Sequence, residues 1–449
     1  FRGLAGRFTY GFDDRYFAEF NFGYNGSENF TPKNRYGFFP SVGLGWVISN
    51  ESFFEPLTNV IQYLKVRGTW GQVGNSQISG RRFAYLATVT DSSSTSYTFG
   101  KNMDQNYGTT AIDEYAVDVT WEVADKTDIG VDMRLLNNKL NLQFDYFKES
   151  REGIYLRRSS IPSYVGMINN PYGNIGKVEN KGFELSVNYA NSWGGDWSLS
   201  LMGNYSFNRN KVLEDDSTVV YPWQNTIGNK VGQRFGLVAL GLFESYGEIA
   251  ASPVQTGDTR PGDIKYKDIN GDGKIDEYDK VPIGWGSVPE IMYGFGFSLG
   301  WKNLSLTAMF QGAAHVDAML SGEGVLPFSQ GSSRGNLLSN ITDRWTEENP
   351  RQNAFYPRLS IGNINMNYEE STWWLKDTDY LRLKNIELSY RLPDHWMKRI
   401  HLDNARIFIQ GVNLLTFSSF KIWDVELGDG RGARYPNIAS VSLGVNFNF

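Results

Sequence analysis

The last thirteen residues of the chain, NIASVSLGVNFNF, set Val441, Leu443, Val445, Phe447 and Phe449 on one side of an extended strand, with Ser442, Gly444, Asn446 and Asn448 on the other. Apolar and small polar residues alternating at period two are what a membrane-crossing β-strand requires, one face in lipid and the other toward a wet interior. The same alternation recurs along the whole sequence. It is clear in Leu140, Leu142, Phe144 and Tyr146, in Phe183, Leu185, Val187 and Tyr189, in Trp197, Leu199, Leu201, Tyr205 and Phe207, and in Tyr293, Phe295, Phe297, Leu299 and Trp301.

Read this way, the sequence predicts thirteen strands, near 3–11, 15–25, 35–49, 59–72, 119–135, 140–150, 177–190, 197–211, 289–301, 304–314, 378–391, 404–416 and 437–449. Their connections alternate between short turns (FDD, NNK, NSWGGD, KN) and long polar loops at 73–118, 151–176, 212–288, 315–377 and 417–436. Transmembrane barrels show this asymmetry, with short periplasmic turns on one rim and long extracellular loops on the other. The expected fold is therefore all-β, an antiparallel transmembrane β-barrel. An odd strand count does not close such a barrel, so further strands are expected to precede residue 1. A soluble sandwich or propeller is the competing fold, and it would put charges on the outer face of many strands. Glu184, Asp145 and Arg382 are expected on the wet side.

Composition agrees. Aromatics make up 15% of the 449 residues and Gly numbers 48, a mixture suited to aromatic girdles around a polar lumen and also to a soluble carbohydrate-binding β-protein. The longest apolar run, FGLVALGLF at 235–243, is about half the length of a membrane-spanning helix, so any crossing is made by strands. A net charge of −6 without a basic stripe argues against a nucleic-acid partner. With no cysteine there are no disulfides, thiolate catalysis or cysteine-bound zinc. Three histidines, His315, His395 and His401, lie at no recognisable motif spacing from a nucleophile or carboxylate, and no enzymatic activity is expected.

Two constellations could carry binding chemistry. Asp268, Asn270, Asp272, Lys274, Asp276 and Asp279 occupy positions 1, 3, 5, 7, 9 and 12 of a calcium loop, with Gly273 at its tight turn. Oxygens at alternate positions can converge on one hard cation, position 7 contributing its backbone carbonyl. Position 12 is Asp instead of the longer Glu, and the flanks at Gly262 and Pro282 are not helical. A lone calcium-type loop at 268–279 within the 212–288 excursion is therefore expected, against the alternative of an Asn-Gly turn with solvated acids. Tyr221, Trp223, Trp345, Trp373, Trp374 and Trp423 form the second set, near extracellular strand ends, where they could stack on sugar rings, dock a protein, or sit in an interfacial girdle.

Several strings resemble the SusC-like TonB-dependent transporters of the Bacteroidetes outer membrane, nearly end to end. They are RYGFFPSVGLGWVISNESFF (35–54), LKVRGTWGQVGN (64–75), WEVADKTDIGVD (121–132), NKGFELSVNY (180–189), GDIKYKDINGDGKID (262–276), DRWTEENP (343–350) with YPRL (356–359), STWWLKDTDYLRLKNIELSYRLP (371–393) and ARIFIQGVNLLTF (405–417). The final loop, FKIWDVELGDGRGARYPN, departs from the family's usual Tyr-x-Gly-x-Asp-Pro-like stretch. This resemblance implies a barrel of roughly twenty-two strands around a plug, of which residues 1–449 are the C-terminal portion. It also implies active import of glycans or peptides, energy from the TonB complex, a SusD-like surface lipoprotein as partner, and the aromatic end at Phe447 and Phe449 as the outer-membrane assembly signal. A non-transporting surface protein that binds glycan or a protein, and a passive porin, are the alternatives.

Overall fold

The computed structural model describes residues 2–448 except 79–81, 323, 329–336, 338, 363, 400–401 and 429. Thirteen strands pair in chain order in one antiparallel sheet. They are β1 (Arg2–Phe12), β2 (Tyr16–Gly26), β3 (Tyr36–Val47), β4 (Ile61–Asn75), β5 (Glu122–Leu135), β6 (Leu140–Arg157), β7 (Tyr172–Trp193), β8 (Trp197–Glu214), β9 (Ile291–Trp301), β10 (Leu304–Ala314), β11 (Tyr380–Arg391), β12 (Asn404–Ser418) and β13 (Ser440–Asn448). All thirteen expected strands are present. No helix is long and apolar enough to cross a membrane among the described residues.

Two compact units divide the chain, Phe1–Glu184 with Asn208–Val219 and Asn225–Val231, and Leu185–Phe207 with Val220–Gln224 and Gly232–Phe449. In the first unit, the strand registers line up Phe12, Tyr16, Trp46, Val66, Val131 and Phe144 across six neighbouring strands, an unbroken apolar row. The opposite face is ionic. Arg67 there reaches Asp128 at 2.9 Å and Asp132 at 3.4 Å and also pairs with Asp145. Asp13 and Asp14, both at positive φ (52° and 49°), close the β1–β2 hairpin in the left-handed conformation that matches strand twist.

The second unit repeats the two-sided pattern. Leu199, Leu299, Leu306, Leu388, Ile409 and Leu443 face one another across six strands, and the adjacent row on the other face is Ser200, Ser298, Thr307, Glu387, Gln410 and Ser442. Leu443 is 78% exposed, and Val441, Val445 and Phe447 are exposed beside it, which in water would be an uncompensated apolar surface. Phe449 lies outside the described residues.

Structure and expectation differ at the upper strand ends. β6 runs on to Arg157 and β7 starts at Tyr172, so both ends of the expected 151–176 loop are strand and the connection shortens to 158–171. The 73–118 loop holds a further hairpin, Thr88–Phe99 with Gln105–Glu114. The β6 and β7 extensions turn Tyr155 and Tyr172 into a small core with Phe30, Phe39 and Trp121, and the hairpin is a run of Ser and Thr, so no lipid-facing alternation marks either.

Candidate functional site

The long segments of the second unit are not separate excursions. Leu237, Leu242, Ile264, Ile275 and Ile283 from 212–288 pack with Leu320, Val325, Trp345, Tyr356 and Trp374 from 315–377 and with Phe420 and Val425 from 417–436, forming one hydrophobic core. Short strand pairs frame it: Arg234–Gly236 with Val281–Ile283, Ala239–Leu242 with Ile264–Tyr266, and Asp317–Met319 with Leu375–Asp377. Each fully buried Leu or Ile contributes roughly 1.5–3 kcal/mol, enough for the loops to hold a fixed shape.

That packing corrects the expectation for the loop aromatics. Trp374 is 1% exposed and Trp345 5%, so neither can meet a substrate or a partner. Trp374 donates its indole N–H to the Asn367 carbonyl at 2.7 Å, and Trp345 lies against Gly262. Gly262 has φ +86°, and a Cβ there would sit 2.2 Å from the Trp345 ring. Trp373 and Trp423 are half-buried against the same core. Sequence position near a strand end could not separate these core rings from surface ones, since both sit among polar neighbours.

Beneath the core lies a polar hub that sequence reading did not single out. The Asp263 carboxylate, 1% exposed, receives the Arg358 guanidinium through two hydrogen bonds of 2.9 Å, with Asn365 (3.1 Å), Asn367 (2.8 Å) and the backbone N–H of Arg260 (2.8 Å) completing its shell. A buried carboxylate is tolerated only when its lone pairs are filled in this way. The hub joins two of the quoted strings, GDIKYKD and YPRL, which the sequence separates by 95 positions at this contact. Burial also pushes the Tyr266 hydroxyl up, and the Tyr368 hydroxyl to about 12. A second tie joins the final loop to the wall. Arg382, 3% exposed, reaches Asp424 at 2.5 Å and Glu426 at 3.1 Å. Burial alone would raise the Asp424 carboxyl, but Arg382 and the N–H groups of Glu426 and Asn437 hold it below the ordinary value.

The 268–279 loop closes as a compact turn. Asp268 accepts the N–H of Gly271 (2.7 Å) and of Gly273 (2.9 Å); Asn270 accepts Asp272 N–H (3.1 Å); Asp272 accepts Lys274 N–H (2.9 Å); Asp276 accepts Tyr278 N–H (2.8 Å). Asp279 is fully buried and takes the N–H of Ile269 (2.7 Å) and Asp276 (2.9 Å), which ties the loop's two ends together. Among the described residues, no three Asp, Glu or His side chains converge as a metal-holding group. Tyr221 and Trp223 stack at 4.6 Å and dock on this loop, with the Trp223 indole N–H donating to the Tyr278 carbonyl at 2.8 Å. Of the six aromatics, these two are brought to the expected calcium-type loop. His315 stacks on Trp285 at 4.0 Å and its Nδ1 lies 3.2 Å from Glu290, while His401 lies outside the described residues.

Comparison with known proteins decides the family. The "TonB dependent receptor-like, beta-barrel" family matches residues 3–414. The chain belongs to this family. TonB-dependent receptor P3 of Formosa agariphila is 29% identical over 99% of the chain and 45% of its own length. TonB-dependent receptor SusC of Bacteroides thetaiotaomicron is 27% identical over 99% of the chain and 43% of its own length. The solved RagAB peptide transporter superposes with a TM-score of 0.74 at 22% identity, covering the whole chain and 47% of the transporter chain, which shows a shared fold. This TonB-dependent receptor chain thus spans less than half the length of the relatives it matches. It is an outer-membrane β-structure of the SusC-like kind, and the relatives named are receptors and transporters.

Proposed function

We propose that this chain supplies wall strands and folded outer loops to an importer that carries oligomeric nutrients, glycans or peptides, across the outer membrane with energy from TonB. The observation that carries the reading is the pair of adjacent rows across β8 to β13, one wholly apolar and one wholly polar, joined to loops that share a core. A wall of that kind separates lipid from a hydrated conduit, and a rigid loop unit offers a shaped rim for cargo and for a SusD-like lipoprotein. Among the relatives, SusC is named a TonB-dependent receptor and RagAB a peptide transporter.

The test is uptake of labelled oligopeptide or oligosaccharide by cells bearing the full-length protein, with and without TonB. Import is expected to cease without TonB. Undiminished uptake would leave the passive porin in its place.

The same proposal includes calcium at residues 268–279. The carboxylates of Asp268, Asp272 and Asp276 each spend one or two of about four lone-pair positions on backbone N–H groups, so they, Asn270 and the Lys274 carbonyl retain acceptor capacity for a hard cation, whereas the expected sixth ligand, Asp279, is buried and accepts from Ile269, Asn270 and Asp276. Its role there is structural, bracing the loop on which Tyr221 and Trp223 dock.

A further inference from the structure

Between the strand Leu375–Asp377, the ring of Phe355 and the segment 419–422 lies a cleft of about 620 Å³. Its most telling wall residue is Lys376. The ammonium is half-buried, donates to the Trp373 carbonyl at 2.8 Å, and lies 5.3 Å from the centroid of the Phe355 ring. Among the described residues it makes no ion pair with a carboxylate. Asp377, next in the chain and also on the cleft wall, turns its carboxylate to the N–H of Asp379 at 2.7 Å.

A cation withdrawn from water without a counter-ion is costly, and of its three N–H donors one is used here on a neutral carbonyl. Burial accordingly holds the Lys376 ammonium below the ordinary lysine value, with no acid among the described residues to raise it. Its surroundings are suited to a guest. Lys421, exposed, adds a second positive charge to the cleft, Asn340 adds an amide, and Phe355 and Phe420 supply apolar wall. An anionic group entering the cleft can accept from the two remaining N–H donors and offset the half-buried charge, where the attraction is stronger than in bulk water.

We infer that this cleft binds an anionic group of the cargo, a carboxylate against Lys376 with the adjoining flat or apolar part of the ligand on Phe355. This deepens and rests on the importer reading, because it names the chemistry of the substrate. An ammonium is a point charge and not a planar fork, so it selects charge and leaves open whether the carboxylate belongs to a peptide end or a uronic acid.

Two matched probe pairs test it by calorimetric titration at pH 7 of the full-length protein in detergent, each probe taken into the millimolar range. One pair is the tetrapeptide Ala-Ala-Ala-Phe and its C-terminal amide; the other is trigalacturonate and its methyl ester. In at least one pair the acid should bind about tenfold more tightly than its neutral partner, a difference of about 1.4 kcal/mol. The pair that discriminates identifies the source of the carboxylate. Lys376→Met should abolish the preference while leaving the neutral probe unchanged, and Lys376→Arg should keep most of it. Because Lys376→Met removes an uncompensated charge, its thermal midpoint should hold or rise, which separates lost binding from a lost fold. Equal binding or no binding of both members in both pairs to the unmodified protein overturns the inference, and so does a preference that survives Lys376→Met. These titrations involve no TonB. Their failure leaves energised import standing, and a failure of TonB-dependent uptake leaves an observed acid preference intact.

Discussion

Trp374 shows how much one loop residue can carry. Its ring meets Tyr356 (6.1 Å between centroids) and Phe355 (6.4 Å), and its indole N–H is the partner of the Asn367 carbonyl. Asn367 in turn holds Asp263, so the apolar core and the polar hub meet at this side chain. Trp374→Ala should cost the loop unit about 3–5 kcal/mol, from the cavity and from the carbonyl left without its donor. Limited proteolysis of the 315–377 segment should accelerate sharply while the wall keeps its heat-modifiable mobility on gels. An unchanged cleavage rate would mean that the ring is peripheral. None of this was legible from the string STWWLKD, where Trp373 and Trp374 look alike; which ring turns inward depends on Ile264, Leu320 and Tyr356, brought from far along the chain.

At the scale of elements, the 268–279 loop and the wall strands were legible for different reasons. The loop's spacing is local, so Asp, Asn and Gly at alternate positions announce a tight turn with clustered oxygens whatever the rest of the fold does. Gly271 (φ +76°) and Gly273 (φ +81°) adopt the left-handed conformation such a turn needs. If calcium occupies the loop, Asp268→Ala with Asp272→Ala should make 212–288 more protease-sensitive, chelator should do the same to the unmodified protein, and the double variant should ignore chelator. A high-resolution structure grown in millimolar calcium with only water at the site would refute the metal. By contrast, the upper ends of β6 and β7 and the hairpin at 88–114 escaped sequence reading. The β6 and β7 ends pack Tyr155 and Tyr172 into a core assembled from distant segments, and the hairpin is Ser- and Thr-rich, so neither carries the one-sided alternation by which strands are recognised.

For the whole sheet, the decisive property is the contrast between neighbouring positions on one strand. Leu443 lies in the apolar row and Ser442 in the polar row, one residue apart on β13. Leu443→Arg should destabilise the inserted protein by about 2–4 kcal/mol if that position sits near the bilayer midplane, whereas Ser442→Arg should be close to neutral because its face is wet. Heat-modifiable, outer-membrane-inserted protein measures both. Equal tolerance of the two substitutions would contradict the assignment of faces, and with it the membrane wall.

The sequence by itself determined the class of fold, the thirteen strands, their two faces and the alternation of short and long connections, since each follows from a period-two pattern repeated within a few residues. It also carried the family, through strings that run nearly from end to end. Only the tertiary structure decided that three long segments fold into one core, that Trp345 and Trp374 belong inside it, that Asp263 and Arg358 meet, and that Lys376 lines a cleft with no carboxylate partner among the described residues. Those outcomes depend on which distant side chains come together, and burial and charge pairing are properties of that meeting and not of local pattern.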